Sequence, residues 1–138
     1  MPKAFRTRPM SSTDCRQRAA TAREHLVVAR ERLDVATAEP GPSEMAQVAA
    51  SNAVLSGIAA TDAICGSALG ECSSEQDHRT ATALLKRVHG ADELATKLQR
   101  LLADETAIQY GGYCTDAVAR ASVSRAEALV EALSRYHL

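Results

Sequence analysis

MAQVAASNAVLSGIAATDAICGSALG, residues 45–70, carries one charged side chain, Asp62. A helix drawn through this stretch has no charged face to turn towards water. It is therefore predicted as a central helix, about 43–69, buried on most sides by its neighbours. Ser43 is the candidate N-cap. Gln47, Ser51, Asn52, Ser56, Thr61 and Ser67 interrupt the run, and Ala is only weakly apolar, so a membrane span is not the reading. Ala53, Gly57, Ala60 and Ala63 leave room for other helices to approach closely.

Working outward, Cys15, Ala19, Ala22, Leu26, Ala29, Leu33 and Ala36 recur at alternating steps of four and three. That spacing predicts a first helix over about 13–37, capped by Ser12 or Thr13 and ended by Glu39-Pro40-Gly41-Pro42. Beyond the central helix, Ser73 and Gln76 fit a capping box opening a third helix, about 74–88, with Gly90 as its stop. A fourth, about 91–109, buries Leu94, Leu98, Leu101 and Ile108 before Gly111-Gly112. A fifth, about 116–137, is capped by Thr115 and carries the stripe Ala119, Val123, Ala126, Val130 and Leu133. No segment shows sustained β alternation. The expected fold is all-α: an up-and-down bundle of about five helices around a mostly uncharged second helix, occupying residues 12–138. Residues 1–11, with Lys3, Arg6, Arg8, Pro2 and Pro9, read as a disordered basic tail.

Composition agrees. The 138 residues suit one domain. Alanine occurs 27 times, there is no Trp, and Phe occurs once, so helices must pack by close backbone approach rather than around large rings. Cys15, Cys65, Cys72 and Cys114 form no Cys-x-x-Cys pair, and Cys15 and Cys65 fall on apolar stripes. They read as buried free thiols in a cytoplasmic protein. No apolar run follows the basic N-terminus, so no signal peptide is expected. Thirteen Arg against three Lys fits a GC-rich bacterial genome.

Charge is unevenly spread. Residues 1–32 hold eight Lys/Arg against three acids, and the rest hold eight against fourteen. The simpler reading is that the first helix docks on an acidic remainder. The sharper one is a basic surface, with Arg16, Arg18, Arg23 and His25, for nucleic acid or an acidic partner.

No phosphate loop or nucleophile elbow is present. Glu75-x-x-His78 has the spacing of half a carboxylate-bridged metal site, but such a site needs two copies, so no metal or other cofactor is expected. Asp62 is the most informative residue, because a carboxylate on a buried helix is costly unless it is paired. Either an Arg or Tyr from another helix pairs with it, or it lines a polar pocket. Arg79, Arg100 and Tyr110 are its candidate neighbours, and with His78 they form the candidate ligand or RNA contacts. Tyr110 and Tyr113 flank the Gly-Gly turn, where tyrosine serves packing more often than base stacking.

Several pieces together resemble the HEPN family of small prokaryotic helical bundles: the apolar helix ASNAVLSGIAATDAI (50–64), Gln76-Asp77-His78-Arg79 opening a short helix, Ala107-Ile108-Gln109-Tyr110-Gly111 closing the next, and the alanine-rich last helix with Ala117, Ala121, Ala126, Leu129, Val130 and Leu133. The resemblance spans about residues 15–136. It implies a bacterial or archaeal cytoplasmic bundle, often a homodimer or paired with the product of a neighbouring gene, and often within toxin–antitoxin or defence modules. Active relatives are metal-independent ribonucleases with an Arg, four to six residues, then a His. This chain departs there. No His follows Arg100 in the fourth helix or its exit, and the only matching spacing, Arg18 to His25, lies on the first helix. The resemblance therefore implies a non-catalytic HEPN-like binding module. A ribonuclease using Arg18 with His25, or Arg79 with His78, is the first alternative. A DNA-associated regulator using the basic N-terminus is the second.

Overall fold

The computed structural model describes residues 6–74, 78–105, 108 and 112–138. Among them the chain forms strand β1 (Thr7–Pro9), helix α1 (Ser12–Ala36), helix α2 (Glu44–Leu69), strand β2 (Glu71–Ser73), and helices α3 (His78–Arg87), α4 (Asp92–Ala103) and α5 (Asp116–Glu131), closed by a 3-10 turn, Ala132–Tyr136. It is an all-α helical bundle. α2 packs against the four other helices, β2 and the closing turn, which is the central position expected of an almost uncharged helix.

The core has two textures. Where α1 and α2 meet it is rich in alanine: both helices are lined with them, and Ala22, Ala29, Ala49, Ala59 and Ala63 are all inaccessible to solvent. Without bulky side chains the two backbones come close enough for Ser56 Oγ to donate to the Ala22 carbonyl at 2.7 Å. On the other side of α2 the space is filled by Leu84, Leu85, Leu98, Leu101, Ile108, Leu129 and Leu133, each contributing roughly 2 kcal/mol by burial. Gly57 lies where α2 crosses α4 and α5. A Cβ there would fall 2.5 Å from Leu101 Cδ2 and 3.2 Å from Leu129 Cδ1.

The structure corrects four boundaries. Within the expected disordered tail, residues 7–9 pair antiparallel with 71–73, and Met10 is buried. The ribbon forms because Gly70, with φ +78, stops α2 in the left-handed region and turns the chain back under the N-terminus, where the Met10 amide donates to the Gly70 carbonyl at 2.9 Å. The first helix is capped by Ser11 rather than Ser12 or Thr13. Its hydroxyl accepts from the Asp14 amide, and the Asp14 carboxylate accepts from the Ser11 amide. Ser73 is taken up by β2, so it does not open the third helix, which begins at His78. Glu75 and Gln76, the other members of the motifs read there, lie outside the described residues. The fourth helix ends at Ala103, twelve residues long, instead of continuing to 109.

The α1–α2 loop is tied to the start of α5. Gly41 N–H donates to Asp116 Oδ1 at 2.9 Å, and Pro42 bridges Thr115. Gln47 reaches from α2 to both sides of the same corner, donating to the Ile108 carbonyl and accepting from the Cys114 amide at 3.0 Å.

Candidate functional site

α3 and α4 are antiparallel neighbours joined through Gly90, whose φ of +76 makes the turn. α3 buries Thr80, Ala81, Leu84 and Leu85. Its opposite strip, His78, Arg79, Thr82, Ala83 and Lys86, faces Gln99, Leu102, Ala103 and Glu105 across a groove of about 500 Å³. That is within the size range of small-molecule sites. At one end His78 Nε2 donates to Glu105 Oε2 at 2.7 Å. Thr82 Oγ1 is tied back to the His78 carbonyl at 3.1 Å. Ala83, Leu102 and Ala103 form an apolar floor, and Arg79 and Lys86 supply cationic rims.

The structure gathers two of the expected ligand residues, His78 and Arg79, in this groove. Arg100 and Asp62 lie elsewhere. Arg100 is not among the lining residues, and its carbonyl accepts from Arg125 Nη1 on α5 at 3.5 Å. Tyr110 lies outside the described residues. Asp62 finds its partner on α1, at a residue not among the neighbours expected for it. Its Oδ2 accepts from Arg18 Nη2 at 2.9 Å. The partner comes from α1 because the close α1–α2 contact brings Arg18 over Asp62. The charge on the buried helix is thereby answered by a structural pair. Burial raises the Asp62 carboxyl above its ordinary value, and Arg18 pulls it partly back.

The four residues read as one basic surface divide between two sides of α1. Arg18 and His25 turn towards α2, where His25 Nδ1 and Asn52 Oδ1 are 3.2 Å apart. Arg23 donates to the Leu138 carbonyl at 2.7 Å, on the side where Arg30 pairs with Glu127 of α5 at 3.1 Å. Arg16 is exposed near the same end, beside the 136–138 segment. Three of the four are thus engaged within the bundle.

A second feature went unread in the sequence. Val28 and Val35 on α1 and Val48 and Leu55 on α2 are between 38% and 48% exposed. Each pair is seven residues apart, so each forms a stripe along one face. The His25–Asn52 contact sets the stripes side by side: Val28 follows His25 by three, while Val48 and Leu55 bracket Asn52. Ser51 and Leu55 also line a small cleft of about 130 Å³ with Glu105, so this face borders the α3–α4 groove. Lys86, Gln99 and Glu105 were missed as well. Lys86 had a signal, because it lies seven residues from Arg79. Glu105 had none, since its place depends on how the chain leaves α4.

Among the described residues no cluster of three His, Cys, Asp or Glu is placed to hold a metal ion. α2 is long and apolar enough to cross a membrane by length and composition, and 72% of that window is buried inside the bundle. No protein family matches the chain, and no curated protein is significantly similar to it.

Proposed function

We propose that this chain is a non-catalytic, HEPN-like interaction module that works as a homodimer through the α1–α2 face, with the α3–α4 groove as its ligand contact. The observation that carries this reading is the double stripe Val28, Val35, Val48 and Leu55, four aliphatic side chains on the α1–α2 face that the bundle itself leaves exposed. A second copy suits it: two stripes on antiparallel helices are self-complementary about a two-fold axis. The HEPN resemblance supports the same assembly. With it comes the expectation of a bacterial cytoplasmic setting within a toxin–antitoxin or defence module, beside a neighbouring-gene partner. Solution mass across a range of protein concentrations tests the reading. The expected result is a dimer that Val28→Glu with Leu55→Glu converts to a helical monomer. A wild-type chain that stays monomeric throughout refutes it.

One observation favours a second reading, a metal-independent ribonuclease. His78, held by Glu105, shares an open groove with Arg79. An imidazole oriented by a carboxylate can move a proton at a ribose hydroxyl, and a guanidinium can stabilise phosphate charge. Incubation with RNA separates the readings. Cleavage that is lost in His78→Ala supports the nuclease, and intact RNA supports the non-catalytic module.

A further inference from the structure

We propose that the α3–α4 groove binds a small organic anion: a molecule with a compact apolar body and one phosphate or carboxylate group. The argument begins with Ala83. It sits midway between Arg79 and Lys86 on the strip of α3 that faces the groove, four residues after one and three before the other. Cations seven residues apart on a helix are roughly 10 Å apart along its axis. The small methyl of Ala83 leaves the space between them open. Leu102 and Ala103 extend that apolar surface from α4, and Gln99 brings an amide that is exposed and makes no hydrogen bond within the described protein.

The charges around the groove are unequal. Among the described residues the one carboxylate lining it is Glu105, which is engaged by His78 at 2.7 Å at the far end. Lys86, eight residues along α3 from His78, has no ion-pair or hydrogen-bond partner among the described residues. Its three ammonium donors stand at the rim of an apolar floor. An ordinary solvated lysine has no such floor beside it, and an ordinary apolar cleft has no such rim. A ligand whose apolar body covers Ala83, Leu102 and Ala103 would place an anion within reach of Lys86 and of the Arg79 side of the groove. Burying that body lowers the local dielectric and strengthens the charge contact. A bare inorganic anion gains only the exposed charge contact, which is worth little in water. A neutral molecule gains only the floor. The apolar and charged parts are therefore both needed.

Titration of the full-length protein, followed by amide chemical shifts, tests this with four probes: phenyl phosphate, benzoate, inorganic phosphate and benzyl alcohol. The expected result is that phenyl phosphate or benzoate shifts amides in 79–86 and 99–105. It should bind at least tenfold more tightly than inorganic phosphate and benzyl alcohol, and the better of the two organic anions identifies the preferred headgroup. Lys86→Glu should weaken that binding tenfold or more, and Ala83→Leu should abolish it by filling the floor. Both positions reach solvent, so the melting temperature serves as a control for folding. No shift with any probe, equal binding of inorganic phosphate, or binding indifferent to both substitutions would overturn the proposal. Solution mass measured on the same samples keeps it separate from the homodimer reading, since neither substitution lies on the α1–α2 face.

Discussion

Arg18 reaches from α1 to place Nη2 2.9 Å from Asp62 Oδ2, answering the single charge on the buried central helix. Asp62 is largely enclosed, whereas Arg18 keeps 31% of its side-chain exposure. Removing one partner of a fully buried pair costs about 3–5 kcal/mol. Here solvent at the arginine softens the loss, and Arg18→Ala should destabilise by about 2 kcal/mol near neutral pH. Replacing both by apolar residues, Arg18→Met with Asp62→Leu, should recover most of it. Urea unfolding of the three proteins measures this, and a double variant no better than Arg18→Ala would contradict it.

The same pair predicts a pH dependence. Burial raises Asp62 above its ordinary value of 3.8 in the folded state. Its contribution to stability is therefore fully present below that value and is lost as pH rises through the elevated one. Relative to wild type, Asp62→Asn should gain stability as pH rises from below 3.8. The cost of Arg18→Ala should shrink towards acid, where the carboxyl is protonated. Unfolding free energies across that window decide it. A difference moving in the opposite direction would show that Arg18 outweighs burial.

Gly66 and Gly57 should differ in their tolerance of a methyl group. At Gly66 an added Cβ would lie 2.6 Å from Cys15 Sγ and 2.9 Å from Met10 Cβ, an atom fixed to the backbone. At Gly57 the obstacles are the ends of Leu101 and Leu129. Overpacking typically costs about 1–3 kcal/mol, and Ala regains about 1 kcal/mol in helix propensity. Gly57→Ala should be close to neutral. Gly66→Ala should lose stability and loosen the β1–β2 ribbon, seen as faster amide exchange at Met10.

Thiol labelling should be graded. Cys15, Cys65 and Cys72 are buried, and burial pushes the Cys65 thiol up to about 12. Cys114 is only half-buried. In native protein at about pH 8, near the ordinary thiol value, iodoacetamide should modify Cys114 first and leave the other three until the chain is unfolded. Peptide mass spectrometry reads the order. Early labelling of Cys65 would mean that the α2 core opens readily.

Gln47 joins α2 to the Ile108 carbonyl and the Cys114 amide with one side chain. Gln47→Leu leaves both backbone groups without that partner and should cost about 1–3 kcal/mol. Amide exchange should rise at Cys114, with the middle of α5 unchanged. Uniform loosening of the whole bundle would contradict a local clamp.

The alanine and leucine periodicities and the lack of charge between residues 45 and 70 were enough to predict an all-α bundle with α2 at its centre. These signals are local: the 3.6-residue period sorts apolar from polar faces, and a helix without a polar face must be covered. The tertiary structure alone decided which charges meet. Arg18 finds Asp62 across 44 positions, and His78 finds Glu105 across 27, because side-chain pairing depends on crossing angle and register, which no local pattern encodes. For the same reason the ribbon of residues 7–9 with 71–73 escaped the sequence. Three-residue strands carry no period of their own, and these are held by the left-handed turn at Gly70 and by Met10 settling over Gly66. The groove and the exposed valine and leucine face belong to this second class. They are made of ordinary helix residues and become surfaces only once the helices beside them are in place.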